Sequence, residues 1–329
     1  MDPLNLPVFE DVVAASARLA GHVRRTLVLR HDAIDEMAGG QVFVKPECLQ
    51  ETGSFKIRGA TNRLLQIPED QRQAGVVAFS SGNHAQGVAR AARLLGMPAL
   101  IVMPANAPAV KVDGVRADGA EIRLYDPVSE SREEIARAIN AERGSVLVPS
   151  YDDFDIIAGQ GTVGLEFAAQ MQELGAPLDY LICGAGGGGL ITGIALALEG
   201  MSPQTRIWTA EPEGHDDWAR SLAAGEILAN APGTRSFCDA ILTPKPGNLT
   251  FAIGKRLLSG GLVVSDHEVA VAMRAAFRYL KVVAEPGGSV SLAAALGGLP
   301  DEMRGKRVGV LVTGGNVDAL LYAEILSAA

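Results

Sequence analysis

Residues 180–198 read YLICGAGGGGLITGIALAL, the longest stretch of the chain without a charged side chain. Its length would suit a membrane helix, but four consecutive glycines, Gly186 to Gly189, interrupt the apolar run. Glycine destabilises a helix interior and is the usual residue of tight turns. The stretch therefore reads as a buried strand, a tight loop and the start of a helix, and not as a membrane span.

The same pattern repeats outward in both directions. Apolar, β-branched runs at 41–47 (QVFVKPE), 76–81 (VVAFSS), 99–104 (ALIVMP), 121–126 (EIRLYD), 206–212 (RIWTAEP) and 308–314 (VGVLVTG) alternate with amphipathic patterns over Gly82–Leu95, Arg132–Arg143, Gln160–Leu174 and Glu268–Val282. This alternation predicts an α/β fold of βαβ units, with mainly parallel twisted sheets flanked by helices. Residues 73–148 form a compact set of such units. They are expected to make a small lobe inserted into a larger one built from 1–72 and 149–329. Ligands of such folds bind beyond the carboxyl ends of the strands.

Composition narrows the function. The chain has 329 residues, 48% hydrophobic and 20% charged, with a net charge of −9 and no lysine or arginine run. That balance argues against a nucleic-acid backbone or an anionic membrane as partner. Cys48, Cys183 and Cys238 are widely spaced and form no CxxC pair, so a reducing cytoplasm is expected rather than a disulfide framework or a zinc site. The opening MDPLNLPVFEDVV lacks the layout of a secretory signal. The chain ends soon after NVDALLYAEILSA, so no appended regulatory domain is expected.

Four glycine-marked turns carry candidate chemistry. In TGSFKIRGA (52–60), Lys56 falls in the first turn of a helix, where the positive dipole end favours a neutral, nucleophilic amine. In SSGNHAQG (80–87), hydroxyls, an amide and free N–H groups at a strand-to-helix turn suit a carboxylate, although Ser and Asn also serve as plain helix caps. Gly186 to Gly189 let backbone amides wrap a phosphate. In VTGGNVD (312–318), a strand-end hydroxyl could meet a heterocycle nitrogen. Gly184, Gly186 and Gly189 also satisfy GxGxxG, with Glu211 placed as a ribose-binding acid. That competing reading, an NAD-dependent dehydrogenase, leaves the other three turns without a role.

Taken together, TGSFKIRGA, SSGNH, GGGG and TGGNVD resemble the serine/threonine dehydratase and serine racemase family of pyridoxal-phosphate enzymes, which has the fold type II, tryptophan-synthase β-like architecture. The resemblance runs from about Ala15 to the C-terminus. It implies that Lys56 carries pyridoxal 5′-phosphate as a Schiff base and removes the α-proton. Phe55 would pack on the ring, Asn83 bond its 3′-oxygen, Gly186, Gly187, Gly188 and Gly189 hold the phosphate, and Thr313 meet the ring nitrogen. Ser80, Ser81, Asn83 and His84 would grip the substrate carboxylate. The implied reaction is dehydration and deamination of serine, threonine or 3-hydroxyaspartate to a keto acid and ammonia. A neutral Thr313 hydroxyl does not keep the ring nitrogen protonated, which favours prompt loss of a β leaving group over transamination.

Ser81 also permits racemisation, since the serine at this place in racemases of the family faces the substrate from the side opposite the lysine. Arg132 matches a family arginine at the interlobe cleft that meets a distal carboxylate, and Thr243 could add a hydroxyl. Glu211, His215 and Asp217 resemble the family's cation site, two carboxylates and a backbone carbonyl suited to Mg²⁺ or Ca²⁺. Relatives are often homodimers, and the same is expected here.

Overall fold

The computed structural model describes residues 5–107 and 109–328. Its strands are β1 (Gln41–Pro46), β2 (Val76–Phe79), β3 (Ala99–Pro104), β4 (Glu121–Tyr125), β5 (Val146–Leu147), β6 (Tyr180–Gly184), β7 (Arg206–Pro212), β8 (Gly260–Val264) and β9 (Arg307–Val312). They form a five-stranded sheet in the order β1-β9-β6-β7-β8 and a four-stranded sheet in the order β4-β3-β2-β5. Every pairing within the two sheets is parallel. The expected α/β architecture is therefore present, and the four-stranded sheet draws all its strands from within residues 76–147.

Central strands are buried along their length because helices cover both faces of a parallel sheet. In β6 all five residues are buried, and β9 is enclosed from Val308 onward. The edge strand β4 is mostly open to solvent. Two short edge strands, β5 and β8, were not expected from the sequence. The first has only two residues, and the second opens with Gly260 and Gly261.

The helix that opens the Lys56 motif runs Lys56–Leu65, and the long helix Phe154–Glu173 crosses it. The crossing is tight because Gly59 and Gly159 face one another. A Cβ on Gly159 would stand 2.7 Å from the Gly59 Cα, and the Gly59 N–H donates to Gln160 Oε1 at 3.0 Å. Phe154–Glu173 begins earlier than the expected Gln160 because Asp153 caps it, accepting from the N–H groups of Asp155 and Ile156 at 3.0 Å each. The expected 268–282 helix is interrupted. It runs α-helical over Asp266–Ala275, widens into a π-turn over Ala276–Leu280, and stops at Lys281 with φ 60°. Among the described residues, no helix is long and apolar enough to cross a membrane.

Candidate active site

The carboxyl ends of β2, β6 and β9 face one cavity of about 430 Å³. Its wall includes Phe55, Lys56, Ser80 to His84, Gly186 to Gly189 and Thr313, so residues from all four glycine-marked turns meet there. Backbone bonds join the turns. Ser54 and Gly314 form an antiparallel bridge, the Phe55 N–H donates to the Thr313 carbonyl at 3.2 Å, and the Gly315 N–H donates to the Gly53 carbonyl at 2.9 Å. Asn316, whose role the sequence did not show, donates through Nδ2 to the Thr52 carbonyl and to Asn83 Oδ1, each at 2.8 Å.

Lys56 is the first residue of its helix. Its Nζ lies 5.2 Å from the centre of the Phe55 ring and donates to the Ser150 carbonyl at 2.8 Å. Burial pushes the ammonium down to about 8, which brings the neutral amine within reach of ordinary pH. The Ser150 carbonyl is itself held in place. Asp152, two residues on, caps the helix Asn248–Leu257 by accepting from the N–H groups of Asn248, Leu249 and Thr250 at 2.9, 2.8 and 3.2 Å.

The glycine loop is bonded from behind. The Gly186 carbonyl accepts from Trp218 Nε1 at 2.7 Å, that of Gly187 from Thr250 Oγ1 at 2.7 Å, and that of Gly188 from Thr192 Oγ1 at 2.8 Å. Among the described residues, no hydrogen bond takes up the N–H groups of Gly186 to Gly189. With its carbonyls engaged and its amides free at a helix N-terminus, the loop fits an anionic phosphate. Side chains are excluded there, since a methyl on Gly187 would run into the Tyr151 ring and one on Gly188 into Trp218.

His84 is buried, and its Nε2 meets the Val148 carbonyl at 3.0 Å. Burial, with the nearby Lys56 charge second, pushes the imidazole down to about 3, so it stays neutral and donates from Nε2. Asn83 is buried too, and its Nδ2 donates to Glu285 Oε1 at 2.5 Å. Arg132 lies at the cavity wall with its guanidinium 5.4 Å from the centre of the Phe79 ring, and its Nε bonds Glu133 at 2.8 Å. Thr243 also lines the cavity. Its Oγ1 is 3.3 Å from the position a Cβ on Gly186 would take, and it has no partner among the described residues.

A family model described as pyridoxal-phosphate dependent enzyme matches residues 19–314. The chain belongs to this family. It is 47% identical over 324 residues to an L-threo-3-hydroxyaspartate ammonia-lyase of Pseudomonas sp, covering 98% of this chain and 99% of that one. It is 43% identical over 319 residues to a serine racemase of Oryza sativa subsp. indica, covering 95% and 91%. The solved structure of maize serine racemase superposes with a TM-score of 0.90 at 40% identity, covering 97% of this chain and 96% of that one. The family's cofactor suits the cavity found here, with one lysine of depressed basicity, an open amide cradle, and a threonine, Thr313, at the end of β9.

Below the phosphate cradle lie the three residues expected to hold a cation. Glu211 accepts from the N–H groups of Trp218 and Ala219 at 2.8 and 2.9 Å and so caps the helix Asp217–Ala224. Burial first, and the Asp217 charge second, hold its carboxyl well above the usual range. Asp217, pushed up to about 6 by burial, bonds Asn230 through Oδ1 and leaves Oδ2 buried without a partner among the described residues. Neither ring nitrogen of His215 has a partner among the described residues. Among the described residues, no group of three or more His, Cys, Asp or Glu could hold a metal. The two carboxylates alone make no such group, and both Glu211 oxygens already accept backbone N–H bonds.

Sequence reasoning missed Lys111, Asp239, Glu285, Ser150 and Tyr151, all of which line the cavity or touch its lining. Their partners lie far off in the chain. Lys111 bonds a residue 128 positions away, and Glu285 one 202 positions away.

Proposed function

We propose that this protein removes water and ammonia from a β-hydroxy amino acid with Lys56 as the base, and that its preferred substrate is a 3-hydroxyaspartate. One observation carries the substrate assignment. The cavity that holds Lys56 and the free amides of Gly186 to Gly189 also has an arginine in its wall, Arg132, paired with its neighbour Glu133. An arginine there gives a second carboxylate a bidentate partner, which serine and threonine cannot use. The likeness to the Pseudomonas ammonia-lyase supports the same reading.

Bound pyridoxal phosphate supplies the electron sink that makes the α-proton acidic. The chain supplies the rest. The free amides of Gly186 to Gly189 would take the phosphate, while the Thr243 hydroxyl, without a partner among the described residues, would add a hydrogen bond to the substrate's distal carboxylate beside Arg132. Phe55 would cover the ring, Asn83 would meet its 3′-oxygen, and Thr313 would meet its nitrogen with a neutral hydroxyl. Ser80, Ser81, Asn83 and His84 bind the α-carboxylate, and neutral His84 adds no competing charge. Lys56 Nζ, steered by the Ser150 carbonyl, takes the α-proton as the β-hydroxyl leaves. The water lost in that step is regained when the resulting imine hydrolyses, so substrate goes to a 2-oxo acid and ammonia. Ser81, also in the cavity wall, gives a second reading, racemisation by return of the proton to the other face.

The proposal extends to a Mg²⁺ or Ca²⁺ ion on Glu211, Asp217 and the His215 carbonyl. The unpartnered Asp217 oxygen and the mutual repulsion of the two carboxylates support it. It also takes residues 73–148 as a small lobe inserted between 1–72 and 149–329, and the protein as a cytoplasmic homodimer.

The test is release of 2-oxo acid and ammonia from L-serine, L-threonine, D-serine and each 3-hydroxyaspartate stereoisomer, with Mg²⁺ and with EDTA. The expected preference is a hydroxyaspartate, with kcat/KM for it falling about 10- to 100-fold in Arg132→Ala, the loss of a charged hydrogen bond. Preference for serine or threonine, unaffected by Arg132→Ala, overturns the substrate assignment. Activity indifferent to EDTA removes the cation.

A further inference from the structure

Asn83 is held from two sides. Its Oδ1 accepts from Asn316, and its Nδ2 donates to Glu285. Glu285 is wholly enclosed, and its second oxygen, Oε2, has no hydrogen-bond partner among the described residues. The nearest cation is Lys111, whose Nζ is 3.8 Å from that oxygen. Lys111 reaches across the cavity from the helix Ala109–Ala117. Its side chain is 4% exposed, and its Nζ donates to Asp239 at 2.6 Å. Its stem lies on the 80–84 loop, so that a Cβ added to Gly82 would stand 3.0 Å from Lys111 Cδ.

We propose that Lys111 and Glu285 are positioning residues that fix the Asn83 amide, Lys111 by keeping the Glu285 carboxylate ionised and Glu285 by accepting one of the two Asn83 N–H bonds. An ionised carboxylate only accepts, so it demands the nitrogen side of the amide. That leaves the second Asn83 N–H for the cavity, where a cofactor oxygen would meet it. A protonated Glu285 can donate instead. The charge-assisted bond is then lost, and with it the preference for one amide orientation. The inference rests on the reading that this cavity holds pyridoxal phosphate.

The groups facing Glu285 are Lys111 and, from the turn preceding the 286–296 helix in space, Asp239 and Cys238, together with Cys48 after β1. Both thiols are pushed up to about 12, chiefly by burial, and carry no charge. Burial raises Glu285 to about 7, Lys111 is the main opposing influence, and Asp239 adds to the rise. Among the described residues, Lys111 is therefore the cation that opposes protonation of this carboxylate.

The test compares wild type, Glu285→Gln, Lys111→Met and Lys111→Arg, each purified and shown folded by its thermal transition. The readouts are the pH dependence of pyridoxal-phosphate affinity, from fluorescence quenching of the apoprotein, and the pH profile of 2-oxo acid release. Wild type should lose affinity as pH falls through about 7. Glu285→Gln should bind about tenfold more weakly and lack that acid limb. Lys111→Met should move the limb to higher pH, because its cation no longer opposes protonation, and Lys111→Arg should restore it. A limb at the wild-type position in Lys111→Met, or one retained in Glu285→Gln, overturns the inference alone. Wild type that binds no pyridoxal phosphate overturns the functional reading and this inference together.

Discussion

Behind the Lys56 helix, Glu47 is fully enclosed with every oxygen engaged. Arg58 donates to it through Nε at 2.7 Å and Nη2 at 2.8 Å, and Thr26 Oγ1 donates at 2.7 Å. Arg58 reaches on to Glu166 at 2.7 and 3.0 Å, and Glu166 also takes Lys45 at 3.0 Å. In front of the same helix, Glu285 is as deeply enclosed but keeps one oxygen without a partner among the described residues, with Lys111 standing off at 3.8 Å. The carboxyl ranges follow. Arg58 holds Glu47 below the usual value against the cost of burial, while burial raises Glu285 to about 7. A closed network fixes geometry and has nothing left to offer a ligand. An open one costs stability and keeps a proton equilibrium that chemistry can use. Among the described residues, Asp217 Oδ2 and His84 Nδ1 are likewise buried without a partner.

The largest effect should separate the two carboxylates by stability. Glu47→Ala takes from the buried Arg58 one of its two carboxylate partners, leaving only Glu166, and should cost about 3–5 kcal/mol in urea unfolding. Glu285→Gln replaces a poorly paired charge with an isosteric amide and should change stability by less than about 1 kcal/mol while altering the pH profile of activity. Equal losses from the two would break the comparison.

How far this division can be read in advance depends on sequence separation. The strand-and-glycine segments are local patterns, so β6, its loop and the following helix were legible, as were Lys56 at a helix start and the Ser80–His84 turn. The strand β8 was not, because Gly260 and Gly261 have poor β propensity. The fold requires a glycine there, since a Cβ on Gly261 would stand 2.7 Å from the Ala219 Cβ of the covering helix. Glu285, before Pro286 at a helix start, reads as an ordinary dipole-complementing acid. Lys111 reads as a solvated lysine. Only the tertiary fold brings them together.

The same contrast is sharpened through pH. His84 is depressed to about 3 from an ordinary value of 6.5, so the folded state disfavours its proton. Its contribution to stability is present above about 6.5 and is lost as pH falls toward 3. His84→Gln keeps a donor for the Val148 carbonyl and cannot titrate. Its unfolding free energy should fall less steeply than that of wild type over that window, measured by urea titration at each pH. Parallel curves would mean that His84 takes up its proton without cost to the fold.

The most direct measurement asks whether Lys56 or Lys111, both in the cavity wall, holds the cofactor. The protein is loaded with pyridoxal phosphate, reduced with borohydride, digested and mapped by mass. The expected result is a pyridoxyl label on the peptide carrying Lys56 and none on the peptide carrying Lys111. A label on Lys111, or no label on either, would contradict the assignment of Lys56 as the residue at the centre of the chemistry.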